Sequence, residues 1–432
     1  MIIDFSVKNF RSIKDLQTIS FIATKLDSNQ EKFPDTDLNN IVEKENFRLL
    51  KTVGIYGANA SGKSNIIRAL EYFYNAISDL PSPVSRLSNL ADPYLFQENF
   101  NETDSFFQIT ILLEGKKYRY GFTVRKSNYK IKNQIESNSQ QAESNEIITN
   151  EWLYGPKETN QVKYFIRKDL KLENDNLSTE KLIPELEYKH SLYLTHVASY
   201  DREGICSKIR NYLGGYMISN YRNGIESFRF HTINLIEGLD SGKEKLLQFL
   251  SEFQLNYSDI SLIKDDELHK KRVVPQNKIS LTKKINSINN EYATLNLMYT
   301  ESEGTKKIFD ISGLLIHAFN LKTSGLIVID ELDSNFHPSL VIQLIKLFNN
   351  PLINKAGVQI LFTSHDTNLL NPSLLRRDQV YFTEKDNQDA TRLYSLADLK
   401  GIRNDADFAR QYLAGFYGGL PILGTFHNDL ID

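Results

Sequence analysis

Eight consecutive residues, Gly57-Ala58-Asn59-Ala60-Ser61-Gly62-Lys63-Ser64, have the spacing G-x-x-x-x-G-K-[ST] of a phosphate-cradling loop. Glycines at those positions let successive backbone N–H groups turn inward around an anion. A helix starting at the end of the loop adds partial positive charge. In such a loop Lys63 reaches the β- and γ-phosphates, and the Ser64 hydroxyl takes a Mg2+ ion. Gly57, Asn59, Ser61, Gly62, Lys63, Ser64 and the following Asn65 are therefore the candidate nucleotide contacts.

Asp330-Glu331 closes an aliphatic run, Leu326-Ile327-Val328-Ile329. Acids at the carboxyl end of a buried strand lie where open α/β sheets bind ligands. Asp330 is suited to hold Mg2+ through water, and Glu331 to orient or deprotonate an attacking water. His365 ends a second buried run, and its imidazole could hydrogen-bond a γ-phosphate. Glu301-Ser302-Glu303-Gly304-Thr305 precedes a helical stripe, so Ser302 reads as an N-cap and, with Gly304, as a second anion-binding helix N-terminus.

Strands and helices must position these groups. Leu49 to Tyr56 reads as one apolar strand of the kind buried in a parallel sheet, and Ile66, Ile67, Leu70, Phe73 and Ile77 recur at helical spacing after the loop. Upstream, Ile3, Phe5 and Val7 alternate as an edge or hairpin strand. Phe106–Leu113 and Tyr118–Val124 predict a hairpin about Glu114-Gly115. Residues 126–150 are rich in Ser, Asn, Gln and Glu and read as a surface excursion. The stretch 160–300 mixes polar loops with amphipathic segments such as Leu246, Leu247, Leu250 and Phe253. Order returns with the stripe Ile308, Ile311, Leu314, Leu315 and Ala318, and with the strand Val358 to Thr363.

The chain has 432 residues and a formal net charge of -3, with 41% apolar and 24% charged residues. That is globular composition without a bulk pull toward nucleic acid or membrane. Its single cysteine, Cys206, excludes an intrachain disulfide and a multi-cysteine zinc site. Neither a signal peptide at Met1-Ile2-Ile3-Asp4-Phe5 nor an apolar run long enough to span a bilayer is evident, so a cytoplasmic protein without membrane contact is expected.

In order and separation, the four motifs resemble those of ABC-superfamily ATPases: a Walker A loop, then a distant signature turn, Walker B and a switch histidine. The match is to the soluble branch that includes SMC/RecF-like proteins and the OLD-type and abortive-infection ATPases. Phe5-Ser6-Val7-Lys8-Asn9-Phe10-Arg11-Ser12-Ile13 is similar to that branch's first strand, and Asp330 to Pro338 to its Walker B and D-loop run. Leu375-Arg376-Arg377-Asp378-Gln379-Val380-Tyr381-Phe382 and Tyr412 to Pro421 resemble the RloA-like abortive-infection group. Where ABC transporters carry Leu-Ser-Gly-Gly-Gln, this chain has Ser302-Glu303-Gly304-Thr305. Gln97 is the counterpart of the Q-loop metal ligand.

The resemblance implies an α/β, ABC-type ATPase core: a P-loop sheet with flanking helices and an N-terminal antiparallel β-subdomain, interrupted by a mostly helical insertion. The expected division is 1–125 and 301–400 for the two parts of the core, 126–300 for the insertion and 401–432 for a tail. It further implies ATP and Mg2+ as cofactors, and a homodimer with composite ATP sites, or a higher oligomer. The role it implies is sensing or regulation, in anti-phage defence, of a separately encoded effector such as a Toprim-like nuclease. The alternative is a RecF- or SMC-like repair ATPase that clamps DNA directly. A GTPase is disfavoured, because Asn277-Lys278 and Asn354-Lys355 lack the following Asp of the guanine reader.

Overall fold

The computed structural model describes residues 1–26, 34–126, 146–157, 160–174, 177, 183–219, 225–238, 241–262, 279–286, 291–321, 324–334 and 336–421. In chain order, the first half runs β1 (Ile2–Lys8), β2 (Gln17–Ser20), α1 (Pro34–Asn40), β3 (Ile41–Lys44), β4 (Phe47–Leu50), β5 (Thr52–Gly57), α2 (Lys63–Ser78), β6 (Ser105–Leu113), β7 (Lys116–Lys126), β8 (Glu146–Lys157), β9 (Asn160–Lys168), β10 (Lys171–Asn174), α3 (Tyr193–Tyr200), α4 (Ile205–Tyr216) and β11 (Met217–Ser219). The remainder runs α5 (Arg229–Gly238), α6 (Gly242–Ser251), β12 (Asp259–Leu262), β13 (Ile279–Asn286), β14 (Glu291–Asn296), α7 (Leu297–Thr300), α8 (Glu303–Phe319), β15 (Leu326–Ile329), α9 (Pro338–Asn349), β16 (Gln359–Thr363), β17 (Val380–Lys385), β18 (Thr391–Ser395) and α10 (Phe408–Leu413). Two units result: Met1–Ser219 with Gly325–Asp330 and Gln359–Asp432, and Asn220–Ser324 with Glu331–Val358. No helix among the described residues is long and apolar enough to cross a membrane.

The first unit contains an antiparallel sheet in the order β10-β9-β8-β7-β6-β1-β2. Alternation builds it: Ile3, Phe5 and Val7 of β1 and Phe107, Ile109 and Ile111 of β6 are buried. The β6–β7 hairpin closes on Glu114 and Gly115, both at positive φ, 51° and 74°, the twist-compatible geometry of a two-residue turn. Helix α2 packs on the inner face through Phe73, which stacks on Phe122 at 5.3 Å and meets Phe5 edge-on at 5.5 Å.

The same unit holds a second sheet, β11-β15-β16-β5-β17-β18, parallel except for the edge strand β18. Strands β15, β16 and β5 are buried at every residue, which explains their unbroken apolar runs. The run Leu49 to Tyr56, expected as a single strand, is divided at Lys51: β4 pairs with β3, and only β5 enters the parallel sheet. Lys51 is buried at the break, donates Nζ to Asn39 O at 2.6 Å, and burial lowers its pKa to about 8.

Buried polar side chains join these parts. Gln359 accepts from Ile2 N at 2.6 Å and donates to Ile2 O and Leu50 O at 3.0 and 3.1 Å. Asp378 accepts from Thr24 N at 2.8 Å and from Arg376, while Gln379 donates to Thr52 O and accepts from Asn40. The Arg376-Arg377-Asp378-Gln379 run is thus a clamp on the N-terminal segments. In the tail, Tyr412 stacks on Phe382 at 5.1 Å, and Tyr394 donates to Tyr417 O at 2.6 Å. Leu413 and Phe416 are left exposed.

In the second unit α5, α6, α8 and strands β12 and β13 enclose a core that includes Leu246, Leu250, Ile260, Leu281 and Ile308. Helices α5 and α8 approach closely because Gly313 carries no side chain: a Cβ there would lie 2.2 Å from Thr232 Cα. Beside it Arg229 makes a bidentate buried pair with Asp310, at 2.6 and 2.8 Å. Residues 126–300, expected to be mostly helical, also supply β8, β9 and β10 to the large antiparallel sheet and β12, β13 and β14 to a three-stranded one. The pair Asn277-Lys278 and Asn335 lie outside the described residues.

Glu151 of β8 is a buried carboxylate of the first unit. Its carboxylate accepts from Tyr193 N, Leu194 N, Tyr120 OH and Arg167, and so caps α3, whose own N-cap residue is Leu192. Arg167 is as deeply buried and donates also to Ser191 O and Lys189 O. Removing one partner strands the other charge in the core, so Glu151→Ala should cost about 3–5 kcal/mol in denaturant unfolding. A Glu151→Leu/Arg167→Met double variant should regain only part of that loss, because it removes the stranded charge but leaves Tyr193 N and Leu194 N uncapped. A single-variant loss under about 1 kcal/mol would show that the pair carries no such burden.

Candidate nucleotide site

Strand β5 delivers Gly57 to the carboxyl edge of the parallel sheet, and α2 starts at Lys63, so residues 58–62 make the turn between them. Two glycines are demanded by geometry. Gly57 has φ 148° with Thr383 O 2.4 Å from where a Cβ would be, and Gly62 has φ 109° with Thr391 Oγ1 2.0 Å from its own. Ser61 Oγ pairs with Thr383 Oγ1 at 2.6 Å. Lys63 is 6% exposed, and its ammonium donates to Gly57 O and Ala58 O at 2.8 and 2.9 Å. The cation is therefore held on the loop's own carbonyls, where an arriving phosphate oxygen would compete for it.

Parallel register sets what lies beside the loop. Ile329 pairs with Phe362, Thr363 with Ile55 and Thr383 with Gly57. Asp330, His365 and the loop consequently leave the sheet at one edge. Thr363 donates its hydroxyl to Asp330 Oδ1 at 2.6 Å, which fixes the carboxylate. Arg68, on the second turn of α2, senses that charge: burial lowers its pKa foremost, and Asp330 opposes the shift. The Ser64 hydroxyl and the Asp330 carboxylate are hard oxygen donors at this edge, and such a set fits Mg2+ rather than a thiophilic metal. His365 is exposed at the end of β16, and the neighbouring Ser364 Oγ accepts from Asp366 N at 2.9 Å.

Of the other expected residues, Glu331, Ser302 and Gly304 fall in the second unit, and Gln97 and Asn65 in the first. Glu331 opens the second unit's segment, so the division between units falls at the Asp330–Glu331 bond. It has φ 53°, a left-handed conformation uncommon for a residue with a Cβ. Its carbonyl accepts from Ser334 N at 3.1 Å to close the turn that follows. Ser302 is exposed and caps α8, accepting from Thr305 N at 3.2 Å, which confirms the N-cap reading. Gly304 is in the first turn of the same helix, and Glu303 pairs with Lys306, whose hydrogen bond lowers the carboxyl's pKa. Gln97 donates to Asn9 Oδ1 at 2.7 Å and to Thr103 Oγ1 at 3.1 Å. Its amide tethers a loop to the N-terminal turn. Asn65 donates to Ser12 Oγ at 2.7 Å.

Sequence reasoning missed Thr363, Thr383 and Thr391. A lone threonine in a strand has no signal of its own, and each matters only through the neighbour that folding supplies. Ser12 was within reach, since it ends the Asn9-Phe10-Arg11-Ser12 run.

Comparison with known proteins bears on the same residues. No curated protein matches the sequence. Among solved structures, the chain is similar to the "SMC head domain from Thermotoga maritima", at 12% identity and a TM-score of 0.42, over 91% of this chain and 98% of that one. Residues 53–371 match the family described as "AAA domain, putative AbiEii toxin, Type IV TA system". That span starts within the strand feeding the glycine loop and ends beyond the strand bearing His365, so it takes in every motif from which nucleotide chemistry was expected. The chain belongs to this AAA-domain family of P-loop ATPases.

Proposed function

We propose that the protein binds ATP with Mg2+, hydrolyses it in composite sites of a homodimer, and thereby regulates a separately encoded effector. The observation that carries the reading is the common edge. A glycine-built anion loop, a carboxylate fixed by Thr363 and an exposed histidine all leave one parallel sheet in register. Bound Mg2+ would neutralise phosphate charge there. Ser64 and Asp330 would hold it, while Lys63 moves from the loop carbonyls to the β- and γ-phosphates. Glu331 orients and deprotonates the attacking water, and His365 hydrogen-bonds the γ-phosphate. Lys63→Ala should abolish ATP binding, whereas Glu331→Gln should retain binding and lose turnover. Normal hydrolysis by Glu331→Gln would remove that residue from the chemistry.

Ser302 and Gly304 belong to the unit that does not contain the loop. Their assigned role is to close the nucleotide on Lys63 of a second chain, in the two equivalent sites that twofold symmetry gives. Supporting this, Ser302 is exposed although it caps a helix. ATP would tighten the dimer by its preference for the closed state. Chains carrying Lys63→Ala and Ser302→Arg should be inactive alone, and mixing them should restore part of the ATPase, because one intact composite site can form. A verified heterodimer without recovery would discard the shared site.

The effector is the part furthest from the chemistry. The family's description speaks of a toxin–antitoxin system, by its name a set of two components. Exposed Leu413 and Phe416 on the tail give such a partner a place to dock. Tagged protein purified from phage-challenged cells should bring one stoichiometric protein with it, a nuclease by the expectation above. Tight duplex binding that weakens steeply with salt, with unchanged phage sensitivity on deletion, would favour the DNA-clamp alternative.

A further inference from the structure

The carbonyl of Ser61, in the middle of the phosphate loop, is tied back to β18. Thr391, first residue of that strand, donates its hydroxyl to Ser61 O at 2.9 Å. A hydroxyl has one hydrogen, so in the second contact of Thr391, with Ser12 Oγ at 2.8 Å, Ser12 must be the donor. Ser12 can then only accept from Asn65 Nδ2, at 2.7 Å. The directions are forced along the whole chain: Asn65 amide to Ser12 hydroxyl, Ser12 to Thr391, Thr391 to the Ser61 carbonyl. Thr391 N also donates to Ser12 O at 2.6 Å, which locks strand and turn together.

A trans peptide unit points its C=O and the following N–H in opposite directions. Drawing the Ser61 carbonyl onto Thr391 therefore aims the Gly62 N–H away from Thr391. Ser61's own hydroxyl is engaged with Thr383, on the other strand of the β17–β18 hairpin. Gly62 is wedged against Thr391 with no room for a Cβ, so the peptide has little freedom to flip.

We propose that Thr391, backed by Ser12 and Asn65, is a positioning residue that presents the Gly62 N–H to the phosphates of the bound nucleotide. This rests on reading the loop as the ATP site, and it reassigns Asn65 from a direct contact to the far end of the chain. Because the effect is on phosphate and not on base, it should reach any ligand that has a pyrophosphate group.

The test uses the full-length protein with a fluorescent ATP analogue and with inorganic pyrophosphate as competitor, both with Mg2+. Thr391→Val keeps the shape and removes the donor. It should weaken both ligands about tenfold, more than its lowered melting temperature accounts for, while Thr391→Ser should bind within about twofold of wild type. Ser12→Ala should fall between them. Unchanged affinity in Thr391→Val, or losses that track melting temperature across the three variants, would overturn the positioning role while leaving the ATP site intact. A wild-type protein whose binding of either ligand is indifferent to Lys63→Ala would overturn the ATP site, and this inference with it.

Discussion

Strands paired in parallel have to finish level for their ends to act together, and register decides whether they do. Here Asp330, Thr363 and Ile55 stand at one level, and Gly57 stands beside Thr383. A slip of one residue in β15 would turn Asp330 to the opposite face and break its contact with Thr363. Burial opposes that slip, because every residue of β15 and β16 is already buried. The site inherits its precision from the sheet, and its chemistry from the few residues allowed to stand beyond the sheet's last hydrogen bonds.

The elements that carry the site were legible where burial is total and periodic. Leu326–Ile329 is read to the residue, and the helix after Gly62 is placed by Ile66, Ile67, Leu70 and Phe73. The division at Lys51 was not legible, since Leu50 and Thr52 are equally buried and differ only in which strand they pair with. Residues 146–174 defeated the reading for another reason: their strand character depends on β7 accepting β8 as a neighbour, a long-range fact absent from local pattern. At the site, motif spacing named the candidate groups for phosphate and metal. It could not name Thr363, Thr383 and Thr391, whose hydrogen bonds to Asp330 and Ser61 arise only from strand pairing.

Polar atoms in the interior divide into two kinds. Some hold elements together, as Glu151 holds the start of α3 and Asp378 holds Thr24. Others hold a functional backbone in one of two orientations, as Thr391 holds the Ser61 carbonyl. Both follow from the cost of burying an unpaired hydrogen-bonding group, and both look alike in composition. They differ in what they hold: the first kind joins separate elements, and the second fixes a single peptide of the loop.

Gln359 has a consequence for how the first unit comes apart. It begins β16 in the parallel sheet, yet its carboxamide pairs with both the N–H and the C=O of Ile2, in the antiparallel sheet, as a neighbouring peptide would. An amide two residues from the start of a chain ordinarily exchanges its hydrogen with solvent freely, because terminal residues fray. That of Ile2 is held by a side chain of the parallel sheet, so parting the two sheets would release it. Its exchange rate would therefore report sheet separation, and the hydrogen bonds of Gln359 couple the chain's first strand to the strand that leads to His365.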